Sequence, residues 1–151
     1  MKMSERLRTV TRIFLDTAPV IYFVEKNPRY VDVARVVFDL IDSGALKAVT
    51  SPVTLAECLI LPYRTRQAEV AEAFTELLVN DEQVNFMLID DQTANKAAEL
   101  RVRYNLTLPD SFQLAVASLA GCDAFFTNDI ALKRVSEINV IALDDVEAEV
   151  S

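Results

Sequence analysis

The sequence predicts an α/β fold in three layers, with a five-stranded, mostly parallel sheet covered by helices on both faces. Three observations predict it. Short β-like apolar runs alternate with longer runs of helical period along the 151 residues. Helices separate all five strand-like runs, which is the pattern of a mostly parallel sheet. With 52% hydrophobic residues, two Gly and five Pro, the chain has apolar material for one compact domain spanning 1–151.

Taken in order, the opening MKMSERLRTVTR is too polar for a signal-peptide core, and Lys2, Arg6, Arg8 and Arg12 against Glu5 make it net +3. The first strand, RIFLD, stops on a carboxylate, Asp16, before TAPVIYFVE resumes as a helix. Asp16 reads either as an N-cap or as a charge met by something else, because a buried Asp is costly unless hydrogen bonds or a cation satisfy it. PRYVDVARVVFDLIDSG follows as a half-buried helix carrying Val33, Val36, Val37, Leu40 and Ile41, with Gly44 at its C-cap. After the strand LKAVT, Ser51-Pro52 supplies an N-cap and an N1 proline for the helix PVTLAECLILPYR. Inside that helix Glu57 shares its side with Val53, Ile60 and Leu61, and only Thr54 offers a polar strip.

The next elements are the helix RQAEVAEAFTELLVN, the strand VNFMLI and the helix QTANKAAELRVRYN, before which Asp90 and Asp91 read as caps or solvated charges. Thr107 and Asp110, with Pro109 between them, open LPDSFQLAVASLAG, a helix apolar nearly all round and therefore expected to be deeply buried. Asp110 is a first-turn capping acid or a site acid, and Gly121 is the expected C-cap. The strand AFFT runs straight into Asn128 and Asp129, the latter an N-cap before IALKRV or a site acid. NVIAL is the last strand. Glu137, Asp144, Asp145, Glu147 and Glu149 make the last fifteen residues net −5.

Composition excludes much chemistry. With no histidine, a Ser-His-Asp triad, a histidine base and an H-E-x-x-H zinc site are impossible. The two cysteines, Cys58 and Cys122, lie in apolar stretches without C-x-x-C spacing and read as buried free thiols. A net charge of −8 argues against a nucleic-acid coat protein, leaving any phosphate affinity to local basic residues such as Arg12, Arg64, Arg66, Arg101, Arg103, Lys133 and Arg134. No window reaches 18 uninterrupted apolar residues, so no membrane span and a cytoplasmic location are expected.

What remains is carboxylate chemistry. Two strand ends (Asp16, Asp129) and two helix starts (Glu57, Asp110) of an open α/β sheet would project their acids into one crevice at the carboxyl ends of the strands. Four neighbouring carboxylates cannot all stay ionised without cations between them, and oxygen-only ligands select hard ions such as Mg²⁺ or Mn²⁺.

LDTAPVIYF, SPVTLAECL, LPDSFQLAVA and CDAFFTND, in this order over about residues 12–144, resemble the PIN domain family, and most of all its VapC-type toxins of toxin–antitoxin pairs. The resemblance implies a parallel five-stranded sheet and a metal-dependent endoribonuclease site whose acids are Asp16, Glu57, Asp110 and Asp129. It also implies a small antitoxin partner and a homodimer. Thr127 matches the hydroxyl residue that usually stands two positions before the last acid. Ser111, Phe112 and Gln113 after Asp110, and the uncharged Asn128, depart from the family pattern but remove no matched acid.

The mechanism expected is RNA phosphodiester hydrolysis by metal-activated water, with Asp16, Asp110 and Asp129 as ligands and Glu57 on a metal or the attacking water. Thr17, Thr127 and Asn128 are candidates for fixing the carboxylate rotamers. Two alternatives stand beside it. One is a non-catalytic PIN-like module that binds RNA or protein. The other is an aspartyl-phosphate phosphatase, although Ala18 occupies the position of the second acid of its D-x-D motif. Helices 28–43 and 66–80, with Val36, Val37, Val70 and Phe74, are candidates for dimer contacts or simply for core; the mean hydropathy of +0.21 motivates the former.

Overall fold

The computed structural model describes residues 1–148. Strands β1 (Arg12–Leu15), β2 (Lys47–Thr50), β3 (Val84–Phe86), β4 (Ala124–Thr127) and β5 (Asn139–Ala142) form one sheet in the order β3-β2-β1-β4-β5. Every pairing is parallel. The intervening helices are α1 (Met3–Arg6), α2 (Thr17–Val24), α3 (Val31–Asp42), α4 (Pro52–Arg64), α5 (Ala68–Thr75), α6 (Asp91–Tyr104) and α7 (Leu108–Leu119). The expected α/β layering is what the chain adopts. From β1 the chain builds outward through β2 and β3, then returns to start β4 on β1's other side, so the strand order reverses between β1 and β4. A crevice opens at such a reversal, outside the carboxyl ends of the strands.

Alternation along the strands makes the two core layers. Ile13, Leu15, Ala48, Ala124, Phe126 and Ile141 face Val37, Phe38, Cys58, Phe74 and Leu78 on one side. Phe14, Val49, Phe125 and Val140 face Ala97, Leu100, Leu114 and Val116 on the other. The Phe14 and Phe125 rings stack with centroids 5.2 Å apart and planes 5° from parallel. Each such fully buried side chain contributes about 1.5–3 kcal/mol from water exclusion alone. At the amino edge, Asp123 accepts from Thr11 N, Thr11 Oγ1 and Arg12 N at 2.7–2.9 Å and so pins the starts of β1 and β4 together. No helix among the described residues is long and apolar enough to cross a membrane.

The structure adds one element that the sequence does not predict and corrects several expectations. The polar opening segment forms the short α1, whose Met3 is fully buried and whose N–H bonds the Glu147 carbonyl at 2.9 Å. The strand expected over VNFMLI keeps only Val84–Phe86, because β3 is an edge strand and Leu88 turns out to solvent. The helix expected over 66–80 begins at Ala68, and its last turn, Glu76–Asn80, widens to π geometry where the Leu78 carbonyl accepts the buried Thr50 hydroxyl at 3.0 Å. NVIAL gives up Leu143 to a 3₁₀ turn. Of the dimer candidates, Val37 and Phe74 are core, and Val36 and Val70 are half-buried. Three exposed apolar residues lie together instead on α4, where Ile60, Leu61 and Tyr63 are 53%, 50% and 68% exposed. Both cysteines are free, but Cys122 is only half-buried. Glu149 of the acidic tail lies outside the described residues.

Candidate functional site

The candidate site is built from the end of β1 outward. Asp16 follows directly on β1, and its N–H donates to the Phe126 carbonyl of β4 at 3.0 Å, so its carboxyl stands at the strand-order reversal. One oxygen accepts from the Thr17 N–H at 2.8 Å, capping α2, and the other from the Thr127 hydroxyl at 2.7 Å. Thr127 is fully buried at the end of β4 and also accepts the Asp129 N–H at 3.0 Å. The Thr17 hydroxyl reaches across to α4 and donates to Glu57 Oε1 at 2.6 Å. Asp129 is exposed and caps the following 3₁₀ turn, Ile130–Arg134, by accepting from the Ala131 N–H at 3.0 Å. Asp110 sits half-buried in the first turn of α7, and its own N–H donates to the Thr107 hydroxyl at 3.3 Å.

Electrostatics tie the four acids together. Burial pushes the Asp16 carboxyl up to about 6; bonds from Thr127 and Thr17 oppose the rise, and the charges of Asp110 and Glu57 add to it. Asp110 is likewise raised, first by burial and further by the charges of Asp129 and Glu57. Among the described residues none of the four makes an ion pair. The donor set is carboxylate oxygen flanked by hydroxyls, which suits a hard divalent cation. No three His, Cys, Asp or Glu side chains among the described residues already stand where they could hold such an ion between them. The chemistry of the donors fits a cation, while their spacing is wider than a closed coordination shell.

The remaining sequence candidates sort by what they touch. Thr17 and Thr127 bond the carboxylates directly. Asn128 does not: its Nδ2 donates to the Tyr22 hydroxyl at 3.2 Å, and its Oδ1 is buried without a partner. Asp90 caps α6 through the Thr93 N–H and hydroxyl, which hold its carboxyl below the usual range, while Asp144 accepts from Tyr30 and Asp145 pairs with Lys133. Most of the basic candidates are engaged in the fold. Arg12 bonds the Ala120 carbonyl, Arg101 that of Leu106, Arg103 pairs with Glu137, and Arg134 bonds the carbonyls of Tyr104 and Asn105. Arg64 and Arg66 are exposed with no side-chain partner among the described residues.

The sequence presents Ser51 only as the cap of α4, Gln113 only as a departure from the family pattern and Thr54 only as a polar strip. All three are buried. The signal for Gln113 was available: an amide in the middle of an otherwise apolar helix, one turn beyond Asp110.

The sequence over residues 13–138 matches the PIN domain family. No curated protein sequence matches the chain. Among solved structures, VapBC2 from Rickettsia felis, bound to a DNA fragment from its promoter, aligns with a TM-score of 0.69 at 15% identity, over 87% of this chain and 98% of that one. DNA-bound VapBC from Salmonella typhimurium gives 0.63 at 18% identity, over 88% and 98%. The sarcin–ricin-loop-cleaving toxin VapC20 from Mycobacterium tuberculosis gives 0.62 at 21% identity, over 75% and 86%. At these identities the likeness is one of fold.

Proposed function

This chain belongs to the PIN domain family, and from that premise we propose that it is a divalent-metal-dependent endoribonuclease of the VapC toxin type. The observation that carries the reading is the set of four acids at the strand-order reversal. The charges of Asp110 and Glu57 act on Asp16, those of Asp129 and Glu57 act on Asp110, and among the described residues no basic side chain forms an ion pair with any of the four.

Asp16, Asp110 and Asp129 would hold Mg²⁺ or Mn²⁺, and Glu57 would hold an ion or orient the attacking water. When bound, such an ion lowers the pKa of water and offsets the charge that develops on phosphate. The chain's own part is placement. Thr127 and the Thr17 N–H fix both oxygens of Asp16, so that carboxylate keeps one rotamer. Thr17 fixes one oxygen of Glu57 and leaves the other free to accept a proton from water. With phosphate attraction limited by the net charge of −8, Arg64 and Arg66 are the candidates for holding the RNA backbone.

The test is cleavage. Single-stranded or looped RNA should be cut internally in Mg²⁺ or Mn²⁺, and EDTA or Asp110→Asn should abolish the cutting. RNA binding without turnover by the wild-type protein would favour a non-catalytic module instead.

The VapBC neighbours belong to a family of toxin–antitoxin systems, which supports a small antitoxin as partner here. A basic antitoxin segment could offer an Arg bidentately to the crevice acids. Co-expression with the neighbouring reading frame should then rescue growth that this chain alone suppresses. A second copy of this chain packing on Ile60, Leu61 and Tyr63 would make the homodimer, which light scattering would detect as twice the mass of the chain.

A further inference from the structure

Three buried polar side chains form a chain of hydrogen bonds that links the segments carrying the acids. The Ser51 hydroxyl donates to Gln113 Oε1 at 2.7 Å, Gln113 Nε2 donates to Thr54 Oγ1 at 2.7 Å, and Thr54 Oγ1 donates to the Leu15 carbonyl at 3.2 Å. None of the three exceeds 1% exposure. Ser51 Oγ also accepts the Val53 N–H at 3.1 Å, capping α4, so its proton is left for Gln113. Thr54 spends its one proton on Leu15 and can therefore only accept from residue 113. That position requires an acceptor at one end and a donor at the other. A glutamine supplies both; a glutamate would lack the donor and bury a fifth negative charge.

The addresses of these residues give the chain its meaning. Leu15 is the residue before Asp16. Thr54 lies one turn before Glu57 on α4, and Gln113 one turn after Asp110 on α7. The donors run in one direction from the end of β2, through α7 and α4, to the end of β1. Three of the four acids thus rest on elements that this chain joins. Repulsion among those acids pushes α4 and α7 away from β1, and the apolar contacts around them do not resist sliding as directional bonds do.

We infer that Gln113 is a positioning residue, which holds Glu57 and Asp110 at a fixed distance from Asp16; this rests on the metal-site reading above. Its side chain reaches no reacting atom. It acts through the two helices, in the way that partners behind metal ligands tune affinity.

The experiment is calorimetric titration of the full chain with Mn²⁺ alone, alongside melting in EDTA. Gln113→Met keeps the volume and removes both bonds. It should weaken Mn²⁺ binding about tenfold or more. Val116→Ala, in the apolar core of the same helix, should lower the melting temperature and leave Mn²⁺ affinity unchanged. Thr54→Val should reproduce the loss and Thr54→Ser should restore affinity, and this pair carries the test if Gln113→Met does not fold. Wild-type affinity in Gln113→Met or Thr54→Val, or an equal loss in Val116→Ala, would overturn the inference while leaving the metal site standing. Absence of Mn²⁺ binding by the wild type would overturn the proposed function and this inference with it.

Discussion

Replacing Asp16 by asparagine should stabilise the metal-free protein at neutral pH, although it removes a hydrogen-bonded side chain from the end of a core strand. Asp16 is 8% exposed, and its carboxyl is raised from 3.8 to about 6. The folded state therefore holds the proton more tightly than the unfolded state. Below about pH 4 both states are protonated and nothing is lost. Between about 4 and 6 folding stability falls as pH rises, and above 6 the whole loss is present. At 1.36 kcal/mol per pH unit, the rise corresponds to about 3 kcal/mol. Asparagine carries one acceptor where the carboxylate has two, so it forfeits one of the bonds from Thr17 and Thr127, at about 1 kcal/mol. The balance favours the variant by about 2 kcal/mol at pH 8, or roughly 4–8 °C for a chain of this size. Melting both proteins in EDTA from pH 4 to pH 8 measures it. The gap should be absent or reversed at pH 4, open between 4 and 6, and stay level above 7. Saturating Mn²⁺ should raise only the wild type, by about 2.7 kcal/mol at a hundredfold excess over Kd. A pH-independent gap, or a wild type more stable than the variant at pH 8 in EDTA, would refute the reasoning.

Thr127→Val removes the bond to Asp16 and leaves the Asp129 N–H without its acceptor, so it should cost about 1–3 kcal/mol. Because Asp16 then loses a bond to its ionised form, the cost should be larger at pH 8 than at pH 5, as paired melts would show. Phe125→Ala takes away one ring of the buried stack on Phe14 and should lower stability by about 3–5 kcal/mol in urea titration. Lys26 follows α2 with φ of 55°, a left-handed conformation that costs a side chain about 1–2 kcal/mol. Lys26→Gly relieves that strain against a backbone-entropy loss of about 0.5–1 kcal/mol, so the melting temperature should rise by a few degrees.

The fold was legible because its signals are local and repeated. AFFT reads as a strand and is one, residue for residue, and Ser51 and Thr107 cap α4 and α7 as their spacing requires. What escaped depends on neighbours distant in sequence. Met3 is buried where α1 packs on α3 and the chain beyond β5 returns to bond it, and the segment after Phe86 leaves the sheet because β3 has a partner on one side only. Among site residues, Thr17 and Thr127 stand beside acids in the sequence and were found there. Asn128 stands beside an acid too, yet its amide turns to Tyr22, since neighbours along a strand end point opposite ways. The bond between Ser51 and Gln113 is hidden from the sequence for the converse reason. They are 62 positions apart and meet only when α4 and α7 converge. Helical spacing puts Ile60 and Leu61 on the side of Glu57, and α4 exposes both of them; the fully buried side of that helix is at Thr54, Cys58 and Pro62.

Capping and site duty, which the sequence presents as rival explanations for Asp16 and Asp129, are compatible in the structure. Asp16 caps α2 with one oxygen while the other meets Thr127, and Asp129 caps the turn after β4 while its charge still acts on Asp110. The N–H groups at a helix start are partial positive charges that stabilise a carboxylate. The strand ends, where helices begin, can therefore keep acids close together with no ion pair to any of them among the described residues, Arg134 acting on Asp110 only through its charge. Glu57 has no helix start beneath it and takes its bond from Thr17, which α2 itself presents. The local stabilisation is partial, since Asp16 and Asp110 both remain raised. It is enough to let the chain fold with the acids in place, and too little to neutralise them. Alanine at these positions would delete cap and charge together and report mainly on the fold. Asparagine keeps an acceptor for the cap and deletes the charge, so asparagine variants are the ones whose behaviour speaks to the site.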